Sequence, residues 1–406
     1  MTFALGLVGC GGMGRRHVLG MSRLKAVGRM NFDLVAVCDI MPENGQRMVD
    51  HADQLLGVKP QLFNDFDAMI KAVHLDGIII TTTPETHVEV ALKAFAAGID
   101  VLCEKPITLT VGEGVKLVEA ARKAGRKLAV AENYRRDPIN RLGKALVDAG
   151  AIGRPFLMTQ LSSGSGEFVV ITPWRHRKDR GGIAIDMGVH YTDILEYYLG
   201  EIDTVVGMNE IVDHQRVDQQ GNLHPVDAED LSVGVMRFRS GAIGNLLLSM
   251  AGRGEGLWQR VIYGTSGSLS IPGDRNGKPV TLVQRRAGKD VPVSQEDLLN
   301  LVPDFHLEPT TAALFGGDRL TTYDMPWAEI DSGLLGVEQR DFVEAVQQNR
   351  EPDVNGEQGL RSLALIMGVV EAERLGRIVT TEEVLQGRDM PYELEIIQAM
   401  NANANA

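Results

Sequence analysis

The sequence predicts an α/β fold in two parts, a doubly wound parallel sheet followed by an α+β domain whose open sheet is mostly antiparallel. Three observations carry that prediction. Over residues 1–150, short apolar runs alternate with segments of helical period. A glycine turn, Gly9-Cys10-Gly11-Gly12-Met13-Gly14, stands between the first apolar run and the first helical segment. Past Gly150 the rhythm changes to longer runs that alternate apolar and polar residues. At 406 residues the chain exceeds most single cores, so two domains are expected, 1–150 and 151–395, with a polar, disordered tail over 396–406.

Taken in order, 3–8 reads as the first strand and a helix opens near Arg15. FDLVAVC at 32–38 is the second strand, and a helix after Pro42 places Met48, Ala52, Leu55 and Leu56 on one face. Asn64 is expected to cap a short helix carrying Phe66, Met69 and Ile70. GIIIT at 77–81 is a continuous apolar run, the kind buried on both faces of a parallel sheet. Thr83 and Pro84 fit the cap and first turn of a helix with Val88, Ala91, Leu92 and Phe95 inward. Strands at 99–103 and 127–131 flank a helix over 114–124. Asp137-Pro138 then starts a helix with Leu142, Ala145, Leu146 and Ala149 inward and Gly150 as its stop.

In the second part, 156–162, 204–212, 231–239 and 242–250 read as antiparallel strands, the last two joined by a turn at Ser240-Gly241. Helices are expected over 185–199, 338–348 and 358–375. The stretch 291–330 has no clear period but carries Phe305, Phe315 and Trp327, which fits a packed insertion, a lid or an arm onto a neighbouring subunit.

A formal charge of −13 argues against nucleic acid or an anionic membrane surface as partner. No apolar run approaches the roughly 18 residues of a membrane span. The first strand leaves no room for a signal peptide, so a cytoplasmic location is expected. Cys10, Cys38 and Cys103 lie near the ends of predicted strands and read as buried thiols. His214, Asp218, His224, Asp227 and Asp230 cluster in a predicted loop without recognised ligand spacing, so no metal is expected.

The glycine turn has the chemistry of a dinucleotide site. Gly9 permits a tight turn, Gly11 lets the backbone approach a pyrophosphate, Gly14 lets the helix pack on the strand, and the helix N-terminus offers amide donors. Asp39, 25 residues after Gly14, stands where a carboxylate accepts hydrogen bonds from the adenosine ribose. A carboxylate there favours NAD over NADP, whose 2′-phosphate it repels, and no Arg immediately follows to compensate. Thr81-Thr82-Thr83-Pro84 and Cys103-Glu104-Lys105-Pro106 follow the carboxyl ends of parallel strands, where ligands bind in such sheets. Further on, Trp174-Arg175 and Gly181-Gly182 precede a helix that puts Asp186 and His190 one turn apart on one face, with Asp193 a turn beyond. On the residues alone, Asp186 complements a helix N-terminus and His190 is solvated.

Along nearly the full chain these motifs together resemble the Gfo/Idh/MocA family of nicotinamide oxidoreductases. The match rests on the turn at 9–14, Thr83-Pro84 with His87, Glu104-Lys105-Pro106, Asn133 with Arg135 and Asp137-Pro138, and Asp186-x-Gly188-x-His190. The resemblance implies NAD contacts from Gly9, Gly11, Gly12, Met13, Gly14, Asp39, Thr82, Thr83, Pro84, His87, Glu104, Lys105 and Asn133. It also places Lys105, Asp186 and His190 around the reacting carbon. The expected reaction interconverts a secondary hydroxyl and a ketone on a sugar, glycoside or cyclic polyol by hydride transfer. His190 is then the general base and Lys105 holds the oxygen, while Asp186 binds a neighbouring hydroxyl or tunes Lys105 and His190. Tyr134, Trp174 and Arg175 are expected to contact substrate. A redox-neutral NAD-dependent glycosidase and a non-catalytic NAD-binding sensor are the alternatives, the sensor being expected to lack Lys105 or His190. A homodimer or homotetramer is implied.

Overall fold

The computed structural model describes residues 2–387 and 390–404. Its first half alternates strand and helix: β1 (Phe3–Val8), α1 (Gly12–Ala26), β2 (Phe32–Cys38), α2 (Pro42–Leu56), β3 (Gln61–Phe63), α3 (Phe66–Ala72), β4 (Gly77–Ile80), α4 (His87–Ala96), β5 (Asp100–Glu104), α5 (Val111–Ala124) and β6 (Leu128–Ala131). The strands form one sheet in the order β3-β2-β1-β4-β5-β6, parallel throughout. Buried Leu5, Leu7, Ile78, Ile79, Ile80, Val101 and Leu102 explain why these runs are continuously apolar. The sheet reverses its strand order between β1 and β4, and the loops after β1, β4, β5 and β6 meet at that carboxyl edge.

Several local expectations change. Strand β3 was too short to show a period. Asp65, not Asn64, caps α3 by accepting from Ala68 N at 2.8 Å, because Asn64 donates to the Asp39 carbonyl instead. A 3₁₀ turn over Pro84–Thr86 precedes α4, Thr83 makes no side-chain cap, and Leu92 is exposed while Ala94 packs inward. Thr110 caps α5 three residues before the expected start. In α6 (Pro138–Asp148), Asp137 caps as expected, but Ala149 is exposed beyond the last helical turn.

The second sheet has nine strands. It draws on β7 (Pro155–Ser165), β8 (Ile202–Glu210), β11 (Leu231–Phe238), β12 (Ile243–Gly252), β13 (Leu257–Gly264), β14 (Gly267–Ile271), β15 (Thr281–Arg286), β16 (Lys289–Pro292) and β17 (Val379–Thr380). Between β7 and β8 runs α7 (Gly182–Leu199), and β9 (Gln215–Val217) and β10 (Leu223–Pro225) form a separate ribbon. The order is β16-β15-β14-β13-β7-β12-β11-β8-β17. Contrary to expectation, β7 is not antiparallel to all its neighbours, since it runs parallel to β12. Alternation along a strand fixes which face is buried but not its direction, and α7 supplies part of the crossover a parallel pair needs.

The stretch 291–330 is packed: α8 (Gln295–Leu298) and α9 (Pro309–Phe315) lie in it, and Leu298, Val302, Leu307, Leu314, Phe315 and Tyr323 are buried. It leads into α10 (Trp327–Gln347), which begins eleven residues earlier than the expected 338. Then follow α11 (Gly356–Leu375), α12 (Thr381–Gln386) and α13 (Pro391–Ala404). The last corrects the expected disordered tail, because 396–404 are helical and Tyr392 and Ile396 are buried; 405 and 406 lie outside the described residues.

Helices α10 and α11 return to cover the first sheet. Phe342 meets Phe3 edge-on at 6.2 Å, and Val130 N donates to the Val354 carbonyl at 3.0 Å. Gly20 of α1 and Gly336 of α10 approach so closely that a Cβ on Gly20 would lie 3.0 Å from Gly336 N.

Candidate active site

At the carboxyl edge of the first sheet, Gly9 has φ +99° and a Cβ there would lie 2.7 Å from the Thr81 carbonyl carbon, so only glycine fits this turn. A Cβ on Gly14 would collide with the Gly9 oxygen at 2.2 Å, which fixes α1 tightly against β1. At Gly11 and Gly12 a Cβ would meet nothing within 4 Å, so the protein itself does not require glycine there. That open cradle sits at the start of α1, whose first turn has no side-chain cap. It suits a phosphate group approaching the backbone. Asp39 directly follows β2, with Oδ2 accepting from Cys10 N at 2.6 Å and Oδ1 from Met41 N at 2.8 Å, so its carboxylate is anchored beside the glycine turn. These residues fit a dinucleotide.

Not every expected contact faces that cradle. His87 is fully buried, with Nδ1 3.1 Å from the Pro106 oxygen and Nε2 3.2 Å from the Thr82 oxygen, and burial holds its pKa below the usual value. It ties two loops together rather than reaching a ligand. Thr82 Oγ1 accepts from Thr86, and Thr83 Oγ1 donates to Glu85. Pro84 is buried at the start of the 3₁₀ turn. Asn133 is buried with its carboxamide oxygen unpartnered among the described residues. The three cysteines are buried thiols, and burial pushes Cys10 up to about 12 and Cys38 up to about 11.

Glu104 and Lys105 stand at the end of β5. Glu104 Oε1 is 2.9 Å from His17 Nε2, and its Oε2 accepts from Lys105 N at 3.1 Å. Gln339 Nε2 donates to His17 Nδ1 at 2.9 Å, leaving Nε2–H as the donor to Glu104. Glu338 completes this buried cluster, and burial, then the Glu104 charge, pushes its carboxyl well above the usual range. Because Gln339 occupies His17 Nδ1, His17 Nε2 carries the hydrogen toward Glu104 and offers no lone pair on that side. In the loop residues considered earlier, His224 Nε2 pairs with Asp218 Oδ2 at 2.8 Å and Asp230 pairs with Arg216 at 2.8 Å, which accounts for their charges.

Lys105 crosses to the second half of the chain. Its Nζ donates to Asp186 Oδ1 at 3.1 Å and to the Asp186 carbonyl at 3.0 Å. Arg175 donates to the other carboxylate oxygen of Asp186 and packs over Trp174 at 4.8 Å. Burial alone would raise the Asp186 pKa, but Lys105 and then Arg175 outweigh it and hold the carboxylate ionised.

One turn along α7, His190 is buried with Nδ1 2.7 Å from Glu132 Oε2 and 2.9 Å from Oε1. Its Nε2 has no hydrogen-bond partner among the described residues. The Tyr134 ring stacks on the imidazole at 4.1 Å and 6°, and Arg275 lies over that ring at 5.0 Å. Tyr134 is itself buried and supports His190 through this stacking. Asp193, a turn beyond, is engaged by Arg135 through two parallel hydrogen bonds. The structure thus gathers Lys105, Asp186, Arg175 and His190 at the seam and adds two groups the sequence reading missed, Glu132 and Arg275. Glu132 had a signal: like Glu104, it is a carboxylate at the carboxyl end of a short apolar run of the parallel sheet. A cleft of about 430 Å³ lined by Arg136, Arg141, Arg340, Arg350, Asp341 and Asp353 shares none of these side chains, and its guanidiniums are already paired with carboxylates.

Comparison with known proteins places both halves of the chain in one family. Residues 3–132 match the family model described as "Oxidoreductase family, NAD-binding Rossmann fold", and 144–381 match "Oxidoreductase family, C-terminal alpha/beta domain". The chain is 27% identical to D-apiose dehydrogenase of Paraburkholderia graminis over 379 residues, covering 92% of this chain and 88% of that protein. It is 24% identical to myo-inositol 2-dehydrogenase of Thermotoga maritima over 382 residues, covering 91% and 99%. Among solved structures, levoglucosan dehydrogenase in complex with NADH and levoglucosan shares the fold with a TM-score of 0.75 at 22% identity, covering 94% of this chain and 100% of that one. No described helix is long and apolar enough to cross a membrane.

Proposed function

Because the chain belongs to the Gfo/Idh/MocA oxidoreductase family, we propose that it is an NAD-dependent dehydrogenase that interconverts a secondary hydroxyl and a ketone on a sugar, glycoside or cyclic polyol. The observation that supports this reading is that Asp186, one turn before His190 on α7, binds Lys105 at the carboxyl edge of the first sheet. The Lys105 charge acts on His190. When bound, NAD supplies the acceptor for the hydride of the carbinol carbon. In oxidation, His190 Nε2 takes the hydroxyl proton, and the Lys105 ammonium stabilises negative charge developing on the oxygen. Asp186 fixes the Lys105 ammonium in place. In reduction the same groups act with their protonation reversed. The Asp39 carboxylate favours NAD over NADP.

The relatives named for D-apiose and myo-inositol support a polyhydroxylated ligand, and the anchored ion pairs of the seam suit one. Screening nicotinamide absorbance against sugars, glycosides and inositols, in both directions and with both cofactors, is the first test. Lys105→Ala and His190→Ala should each bind NAD normally in a fluorescence titration and lose turnover by about 10²–10⁴-fold. Full activity in either variant overturns the assignment.

A further inference from the structure

We infer that Glu132 is the positioning residue of the proposed base, a carboxylate that keeps the His190 proton on Nδ1 and stabilises the imidazolium formed when Nε2 accepts the substrate proton. This rests on the assignment of His190 as base. Glu132 directly follows β6 in the first half of the chain, His190 lies on α7 in the second, and their contact spans the seam. Glu132 is 3% exposed and His190 6%, so this is a desolvated pair in which each charge acts strongly on the other.

The local geometry leaves Glu132 little freedom. Its Oε1 also accepts from Tyr134 N at 2.9 Å, which fixes the carboxylate from below. The same residue, Tyr134, stacks its ring on the imidazole, so one short segment sets both the plane of His190 and the acceptor for its Nδ1 proton. A carboxylate only accepts, so Nδ1 must carry the hydrogen and the Nε2 lone pair is left for chemistry. Burial lowers the His190 pKa, Glu132 opposes that most strongly, and Lys105 and Arg275 lower it further. Asp186 also faces the pair, with its own charge neutralised by Lys105 and Arg175.

The proton balance follows. The substrate O–H bond breaks, a new N–H bond forms at Nε2, and the imidazolium then carries protons on both nitrogens beside an ionised Glu132 that takes up none. The hydride leaves the carbon that bears this oxygen for the nicotinamide of the proposed reaction, and the C–O bond becomes the carbonyl of the ketone. In the Glu132→Gln variant the negative charge is gone. Its amide N–H can also donate to Nδ1, which moves the ring proton to Nε2 and removes the lone pair from the reacting side.

The test is long-range ¹H–¹⁵N NMR of full-length protein labelled in histidine, with His190 signals identified by their loss in His190→Ala. The wild-type protein should show His190 protonated at Nδ1 when neutral. Glu132→Gln should shift the proton toward Nε2 and lower the His190 pKa by at least one unit, whereas Glu132→Asp, which keeps the charge, should hold it within half a unit. With NAD and myo-inositol as probe, Glu132→Gln should lower kcat at least a hundredfold, move the acid limb of the pH profile downward, and leave the NAD dissociation constant within twofold. An Nε2–H tautomer in the wild type, or wild-type tautomer and pKa in Glu132→Gln, overturns the inference. Should His190→Ala keep full turnover while Glu132→Gln still shifts the tautomer, the base assignment fails and the pairing stands. If Glu132→Gln does not fold, the wild-type tautomer and Glu132→Asp decide.

Discussion

Asp39 shows how much one carboxylate fixes. It holds the glycine turn through Cys10 N and the next loop through Met41 N, and it presents charge where the adenosine ribose is expected. Asp39→Ala should weaken NAD binding by about 10–100-fold, in keeping with roughly 1.5–3 kcal/mol for a hydrogen bond to a charged group, while NADP binding improves relative to NAD. Calorimetric titration with both cofactors measures this, and an unchanged preference contradicts it. Such residues were legible in the sequence because their spacing from a glycine turn is set by strand and helix lengths. Lys105, Asp186 and His190 were legible through motif order. Glu132, Arg275 and Tyr134 in its supporting role were not, because a pair made across 58 residues depends on how two sheets face each other, and no local period encodes that.

Among the elements, the segment between β7 and α7 ties pH to the site. His176 within it is buried, accepts from Val170 N at 3.0 Å, and has its pKa lowered to about 4, first by burial and then by Arg216. A folded-state value below the ordinary 6.5 means that the unfolded chain binds the extra proton more readily, so stability from this group is complete above about 6.5 and is lost as pH falls toward 4. Protonation also removes the acceptor for Val170 N. Hydrogen exchange at Val170, corrected for intrinsic rate, should therefore accelerate between pH 7 and 5, and the effect should vanish in His176→Ala. The strands and helices of the parallel sheet were readable because their periods are simple. Helix α10 was half hidden, since ten consecutive residues from Ile330 to Gln339 are buried, among them Asp331, Ser332, Glu338 and Gln339. A helix stretch buried all round, with polar residues among the buried ones, has no amphipathic stripe to read.

For the whole molecule, the second sheet leaves one face uncovered. Val206 pairs across the strands with Val235 and Met208 with Val233, and all four are exposed, Met208 at 76%. An apolar face of this kind suits a contact between two copies, the homo-oligomer that the family resemblance implies. Met208→Glu should then shift the mass in light scattering toward the monomer while turnover per chain persists; an unchanged mass places the contact elsewhere. Helix α10, by contrast, is committed to the first half of the chain: it lies on α1 through the Gly20–Gly336 approach and on β1 through the Phe3–Phe342 contact. During synthesis, the apolar side of α1 stays bare until α10 has left the ribosome, some 200 residues after the first sheet is complete, or about 10–40 s at ordinary elongation rates. The first sheet is therefore covered in full only by the far end of its own chain.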